Sequence, residues 1–213
     1  GGLPLPTAPS PSLQALGDDR PWWVLLEAVS PLSDADAQER LANVLIEAGP
    51  NASLAQSLSQ RAAMWRLREA IPMAEKIAGR MVKHDIGLPT SRIPEFISQV
   101  EEALHQRWPT SAVVCFGHLG DGNLHFNVQP PAEQAHGPAF DAFEQAANTV
   151  VFDAVQALGG TISAEHGIGE LRKHELARRQ PPAALAAMHA IKQALDPAGV
   201  LNPDRVLSRP DTP

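Results

Sequence analysis

A β-hairpin is predicted by residues 113–128, which read VVCFGHLGDGNLHFNV. Asp121-Gly122 stands between two runs of β-forming residues, and Asp-Gly is typical of a two-residue type I′ turn, which needs a positive φ at both positions. A turn at these two residues would place His118 directly opposite His125, with Cβ atoms within about 5.5 Å. Asn127 shares the face of His125 because side chains alternate along a strand. A longer loop would change the pairing but keep both histidines beside the reversal.

These two histidines are candidate ligands of a metal ion. Two imidazoles that face each other beside an amide are compatible with a metal or active site, and also with a buried structural histidine next to an exposed one. Cys115 falls on the opposite face in this pairing. We therefore expect Cys115 to behave as a small buried apolar residue.

A second polar motif, SAEHGIG, occupies residues 163–169 after a short predicted strand. Neighbouring side chains on a regular strand point apart, but glycine permits backbone angles that can bring Glu165 and His166 to one site. Two imidazoles and one carboxylate leave an open coordination position and suit Zn²⁺, Fe²⁺ or Mn²⁺. His166 would then remain as a base, since imidazole titrates near neutral pH. An exposed helix N-terminus would explain the same polar residues.

Basic residues form a third group. Arg66 and Arg68 lie in a predicted helix, and Lys83 opens the sequence Lys-His-Asp-Ile at residues 83–86. Arginine and lysine are the side chains that hold small carboxylates. A solvated helix face accounts for the two arginines as well.

The whole chain predicts an α+β fold with an antiparallel sheet and helices packed on one face of it. Pro72 is expected to kink or interrupt the second helix. The predicted elements, in order, are a strand at 21–30, helices at 33–48 and 53–78, a strand at 81–88, a helix at 91–108, the hairpin at 112–128, a helix at 140–158, a strand at 161–164, and helices at 170–179 and 181–195.

Composition excludes several classes of protein. The 213 residues carry a net charge of −7 and no long basic run, which argues against nucleic acid as a partner. No uncharged apolar stretch approaches the roughly 20 residues that span a bilayer. The single cysteine fits a reducing compartment, and we expect a cytoplasmic protein, with a peripheral position at the inner membrane as the alternative. Residues 1–18 are interpreted as a proline-rich lead-in from a longer protein, 19–207 as the folded domain and 208–213 as a tail.

Taken together, the motifs resemble the C-terminal substrate (cap) domain of the FAD-linked D-2-hydroxyacid dehydrogenases and oxidases. This group of the vanillyl-alcohol-oxidase superfamily contains D-lactate dehydrogenase, glycolate oxidase and D-2-hydroxyglutarate dehydrogenase. The resemblance runs from Pro21 to Leu207. It is carried by four motifs in family order: KHDI at 83–86, GHLGDGNLHFN at 117–127, SAEHGIG at 163–169 and LDPAGVLNP at 195–203.

The resemblance implies a role for each candidate residue. A divalent metal, most like zinc, would grip the substrate hydroxyl and carboxylate, and a base would take the hydroxyl proton as hydride leaves for FAD. Pro72 departs from the family, because hydroxyglutarate-specific relatives can carry a hydroxyl side chain there. The implied assignments are His118, His125 and Glu165 as metal ligands, His166 as the base, and Arg68, Lys83 and Asn127 as substrate-holding residues.

The expected cofactor is FAD, held mainly by an N-terminal domain of the same polypeptide. The glycines at 117–122 and 167–169 do not fit the dinucleotide motif Gly-x-Gly-x-x-Gly, so no residue here is assigned to the flavin. We expect the chain alone to be inactive, with a small 2-hydroxy acid and the FAD-binding domain as partners, and with an oligomer possible. Two alternatives are an autonomous metallohydrolase that uses the His/His/Glu site, and a non-catalytic interaction module.

Overall fold

The computed structural model describes residues 22–48, 52 and 54–208. They fall into two compact units, divided between Ala78 and Gly79. The predicted lead-in at 1–18 lies outside the described residues, as does the predicted tail beyond Ser208. No helix in the described part of the chain is both long enough and apolar enough to cross a membrane.

The described residues of the N-terminal unit form two helices, α1 (Asp34–Ala48) and α2 (Leu58–Ala78). The Ser33 hydroxyl accepts a hydrogen bond from the Asp36 N–H at 3.1 Å, which gives α1 the N-cap that its sequence predicts. Helix α2 continues through Pro72, so the helix is not interrupted there. The other predicted outcome, a kink at Pro72, stays a prediction. Proline removes one backbone donor, but the residues on both sides of Pro72 remain helical.

The strand predicted at 21–30 is wrong, because residues 22–30 form no strand. Trp22 and Trp23 are each 50% exposed. The segment is held instead by Glu27, whose carboxylate accepts hydrogen bonds from the Arg61 guanidinium and, at 2.7 Å, from the Trp65 indole N–H. An apolar run forms a strand only beside a partner strand, and the described residues of this unit provide none.

The C-terminal unit is built around a three-stranded antiparallel sheet, and the predicted α+β class is confirmed. The strands stand in the order β1-β3-β2, so that the middle strand of the sheet is the last in sequence. The elements are β1 (Val82–Gly87), α3 (Ile93–Arg107), β2 (Ala112–His118), β3 (Asn123–Gln129), α4 (Gly137–Ala157), α5 (Lys173–Arg179) and α6 (Pro182–Leu195).

One face of this sheet carries the hydrophobic core. Val82 and Ile86 of β1 and Phe126 of β3 are fully buried there, against Phe96 of α3 and Val151 of α4. Truncating a buried phenylalanine in such a core costs roughly 3–5 kcal/mol. Because side chains alternate along a strand, burial of this set directs the polar residues of β1 and β3 to the opposite face.

The hairpin loop is longer than the two-residue turn predicted. Leu119–Asp121 form a 3₁₀ turn, and Gly122 follows in the left-handed region with a φ of 68°. His118 therefore pairs with Asn123, and His125 pairs with Phe116. The register differs from the predicted one by two residues, which preserves the face of every side chain. His118 and His125 still share a face, but they lie diagonally instead of directly opposite.

The predicted strand at 161–164 is reduced to one bridge, between Thr161 and Gly87 at the outer edge of β1. Thr161 and Gly87 exchange two backbone hydrogen bonds of 2.8 and 3.0 Å. Further along, the Ala164 N–H donates to the Asp85 carbonyl at 3.3 Å. The segment leaves the edge too soon to form a regular ladder, but it remains attached to β1.

Candidate functional site

The polar face of the sheet gathers residues from all three strands. Lys83 lies opposite Asn127, Asp85 lies opposite His125, and His118 lies opposite Asn123. The sequence predicted that His118, His125 and Asn127 share one face, and the register places them so. The face also carries Asp85, which was not a predicted site residue.

Asp85 lies at the centre of this polar face. Its side chain is 1% exposed, and its Oδ2 atom accepts hydrogen bonds from the N–H groups of Glu165 at 2.9 Å and His166 at 2.8 Å. Burial raises the pKa of this carboxyl, but the two amide donors and the imidazoles of His166 and His125 outweigh burial and hold the pKa below its usual value. Asp85 is therefore a buried anion that binds the 163–169 loop to the sheet.

Arg172 fixes the same loop from the outer edge of β1. Its guanidinium donates to the carbonyls of Ile162 at 2.7 Å, Asp85 at 3.2 Å and Lys83 at 3.4 Å. Burial lowers the pKa of Arg172, and the Asp85 charge acts in the opposite direction. The guanidinium thus satisfies edge carbonyls that no further strand covers among the described residues.

The loop brings Glu165 and His166, the predicted ligand and base, against the histidines of the hairpin. Glu165 Oε1 lies 3.5 Å from His118 Nδ1. The His166 ring stacks on the His125 ring with centroids 5.7 Å apart, and His166 Nδ1 lies 3.7 Å from Asp85 Oδ2. His118, Glu165 and His166 are each about half exposed or more, so the site is open to solvent.

This donor set fits a divalent cation. Among the described residues, one group with potential ligand atoms all within 4.8 Å of one another is Asp85, His125 and His166. The buried Oδ1 atom of Asp85 has no hydrogen-bond partner, as expected beside a cation or another donor. Imidazoles and carboxylates are the ligands that zinc accepts.

The predicted ligand set differs from this group. His118 and Glu165 meet each other, and His125 lies on the same face, but His118, His125 and Glu165 do not form a group of such close ligand atoms in the described residues. Their assignment as ligands stays a prediction. Sequence reasoning missed Asp85, although alternation along residues 83–86 places it on the same face as Lys83 and could have indicated it.

The three predicted substrate-holding residues lie on different elements. Asn127 is 3% exposed, and its Oδ1 accepts the His84 N–H at 3.3 Å. Lys83 is exposed and lies beside Asn127 in the register. Arg68 lies on α2 of the N-terminal unit and is half-buried. Their roles stay predictions.

Two chemically active side chains lie on the core side. His84 is buried with Nδ1 2.7 Å from the Phe126 carbonyl, and burial lowers its pKa to about 4. Cys115 packs against the core, and burial raises the pKa of its thiol to about 12. Both residues therefore serve packing here, and for Cys115 this agrees with the role predicted from the sequence.

Comparisons with known proteins agree with the motifs. The family described as FAD linked oxidases, C-terminal domain, matches residues 6–206. The chain is 38% identical over 161 residues to a D-2-hydroxyglutarate dehydrogenase of Xanthomonas citri pv. viticola, which covers 75% of the chain and 34% of the relative. It is 32% identical over 195 residues to that of Stutzerimonas stutzeri, with 89% and 41% covered. It is 35% identical over 194 residues to the mitochondrial D-2-hydroxyglutarate dehydrogenase of Rattus norvegicus, with 89% and 35% covered. The chain thus spans 34% to 41% of the length of these relatives.

Proposed function

The chain belongs to the family of C-terminal domains of FAD-linked oxidases, and we propose that it supplies the substrate- and metal-binding part of a flavin-dependent dehydrogenase. The reaction would oxidise a D-2-hydroxy acid to a 2-oxo acid by hydride transfer to FAD. The observation that carries this proposal is the meeting of His118 with Glu165 and of His125 with His166 around the buried Asp85. The relatives compared above are D-2-hydroxyglutarate dehydrogenases.

His118, His125 and Glu165 would hold the divalent cation, with zinc as the first candidate. A bound cation of this kind supplies Lewis-acid chemistry, lowering the pKa of a substrate hydroxyl. The imidazoles come from the hairpin and the carboxylate from the loop, so the site depends on the attachment of that loop to β1. The open side of the site gives a substrate access to it.

His166 would act as the base. Asp85 Oδ2 lies nearest its Nδ1 atom, at 3.7 Å, and a carboxylate on that side favours the tautomer with the proton on Nδ1. Nε2 is then the nitrogen that accepts the hydroxyl proton. As that proton goes to Nε2, the C2–H bond breaks with its electron pair and the C–O bond becomes a carbonyl.

Lys83 and Asn127 would hold the substrate carboxylate. Lys83 and Asn127 are register partners on the polar face of β1 and β3, two residues along the strands from the pair Asp85 and His125. Because Asn127 Oδ1 accepts the His84 N–H, its amide nitrogen is the atom that can donate to an anion. An ammonium and an amide donor side by side suit a carboxylate.

The test joins this chain to its FAD-binding domain and measures dye reduction by D-lactate, glycolate and D-2-hydroxyglutarate. His166→Gln should lower kcat/KM by about 10²- to 10⁴-fold for the preferred acid, as expected on removal of a general base. His174→Gln is the matched control, because His174 is an exposed histidine on α5. The proposal is refuted by full activity of His166→Gln, or by an absence of turnover with any 2-hydroxy acid. Zinc-dependent ester cleavage without flavin would support the metallohydrolase alternative instead.

A further inference from the structure

Glu165 and His166 are neighbours in sequence, yet both side chains contact histidines of the same hairpin. Glu165 reaches His118 at 3.5 Å, while the His166 ring stacks on that of His125. Consecutive residues of an extended strand would point to opposite sides. The backbone at this position must therefore be held in another conformation.

A single oxygen atom holds that backbone. Asp85 Oδ2 accepts both N–H groups, at 2.9 Å from the Glu165 nitrogen and 2.8 Å from the His166 nitrogen. Two successive N–H groups that converge on one anion form a concave backbone arrangement, called a nest, that an extended strand cannot adopt. The carboxylate is buried, so these charge-assisted hydrogen bonds face little competition from water.

Asp85 is in turn rigidly placed. It lies in the middle of β1, directly opposite His125 of the central strand. Its own carbonyl accepts the Ala164 N–H at 3.3 Å and the Arg172 guanidinium at 3.2 Å. The residue thus connects the strand that carries it, the loop, and the strand that carries His125.

We infer that Asp85 is the positioning residue of this site: its carboxylate sets the Glu165–His166 backbone so that ligand and base face the hairpin together. The inference rests on the proposed function for the roles of those two residues, and on the hydrogen bonds alone for the positioning. In a competing explanation Asp85 binds the cation directly, since its Oδ1 is buried without a hydrogen-bond partner and its carboxylate lies within 4.8 Å of the ligand atoms of His125 and His166.

Three variants separate positioning from direct ligation. Asp85→Ala removes the acceptor, Asp85→Asn keeps an oxygen acceptor but removes the charge, and Asp141→Ala is a control at an exposed aspartate of α4. One measurement is the amide hydrogen exchange of residues 165 and 166 in the metal-free chain, compared with the buried strand residue Val128. The other is the dissociation constant for Zn²⁺, measured in competition with a chromophoric chelator.

The expected results are specific to each variant. In Asp85→Ala the amides of Glu165 and His166 should exchange at least about tenfold faster with Val128 unchanged, and zinc should bind about 10- to 100-fold more weakly. Asp85→Asn should keep both amides protected and zinc affinity within about threefold of the parent chain. Asp141→Ala should match the parent chain in both measurements.

Several results would overturn the inference. Unchanged exchange at both amides in Asp85→Ala would do so, and so would loss of zinc in Asp85→Asn with both amides still protected, which identifies a direct ligand. If the Val128 amide also loses protection in Asp85→Ala, that variant is destabilised as a whole, and Asp85→Glu is then the test variant. It keeps the charge but displaces the oxygens by one methylene, and it should loosen the same two amides; no change at them would count against Asp85. A parent chain that binds no zinc would contradict the proposed function alone, because the amide exchange is measured without metal.

Discussion

Gly122→Ala should strongly destabilise the C-terminal unit, because this glycine meets two separate constraints. Its φ of 68° lies in the left-handed region, which costs a residue with a Cβ roughly 1–2 kcal/mol. A Cβ placed on it would lie 2.1 Å from the Leu88 carbonyl oxygen, which is backbone and can move only with the chain beyond β1. That movement would strain the 2.9 Å hydrogen bond from the Leu88 N–H to the Gly122 carbonyl, worth about 0.5–1.5 kcal/mol.

The two contributions add to a destabilisation of about 1.5–3.5 kcal/mol. With a urea m-value near 2 kcal/mol per molar, the unfolding midpoint should fall by about 0.8–1.8 M. Gly120→Ala is the matched control in the same loop, because no atom lies within 4 Å of a Cβ placed there. Urea titrations followed by far-UV circular dichroism give both midpoints. Equal midpoints for the two variants would refute the reasoning from backbone geometry.

Three further predictions concern Arg172, which attaches the 163–169 loop to β1, and the buried side chains of His84 and Cys115. Arg172→Met should lower the free energy of unfolding by about 2 kcal/mol in urea titrations, because three backbone carbonyls, two on the edge of β1 and one at Ile162, lose a charged donor. The control Arg178→Met, at an exposed arginine, should change this free energy by less than about 0.5 kcal/mol. Burial lowers the pKa of His84 to about 4 in the folded chain, so between pH 6.5 and 4 the unfolded chain binds a proton at His84 more readily than the folded chain. Acidification over this range should therefore lower the free energy of unfolding by up to about 3 kcal/mol. His84→Gln should remove this pH dependence, and an equal pH dependence in that variant would contradict the prediction. With a thiol pKa of about 12, Cys115 should react with iodoacetamide at pH 8 at least about a hundredfold more slowly in the folded chain than in urea, and equal rates would show an exposed thiolate.

Much of the hairpin could be predicted from the sequence because the face of each side chain changes only when the strand register shifts by an odd number of residues. The turn has four residues instead of two, yet the shift of two residues leaves His118, His125 and Asn127 on one face. A shift of one residue would have moved His125 into the core and Phe126 to the surface. Burial of Phe126 and Val128 excludes that alternative, so the prediction of faces tolerated an error in the length of the loop.

The errors share a different physical origin. An apolar run such as residues 22–30 has the composition of a strand, but a strand also needs a neighbour to receive its hydrogen bonds, and composition does not reveal one. The segment at 161–164 has a neighbour but keeps only one bridged pair before turning into the site. Asp85 was missed for a related reason, since its importance comes from hydrogen bonds to residues 80 and 81 positions later in the chain.

The candidate site joins one part fixed by the sheet to another part fixed by a side chain. Asp85 and His125 face each other across paired strands, so backbone hydrogen bonds set their separation before any ligand arrives. A sheet offers side chains to one face only at alternate positions, and these two strands cannot bring a carboxylate ligand and a base next to each other from adjacent residues. The loop brings two adjacent residues to one site, because the backbone N–H groups of Glu165 and His166 both donate to the Asp85 carboxylate. The proposed ligand and base can be adjacent in the loop because the chain also places an acceptor in the middle of β1. This hydrogen bonding links the Lys83–Ile86 motif to the Ser163–Gly169 motif physically.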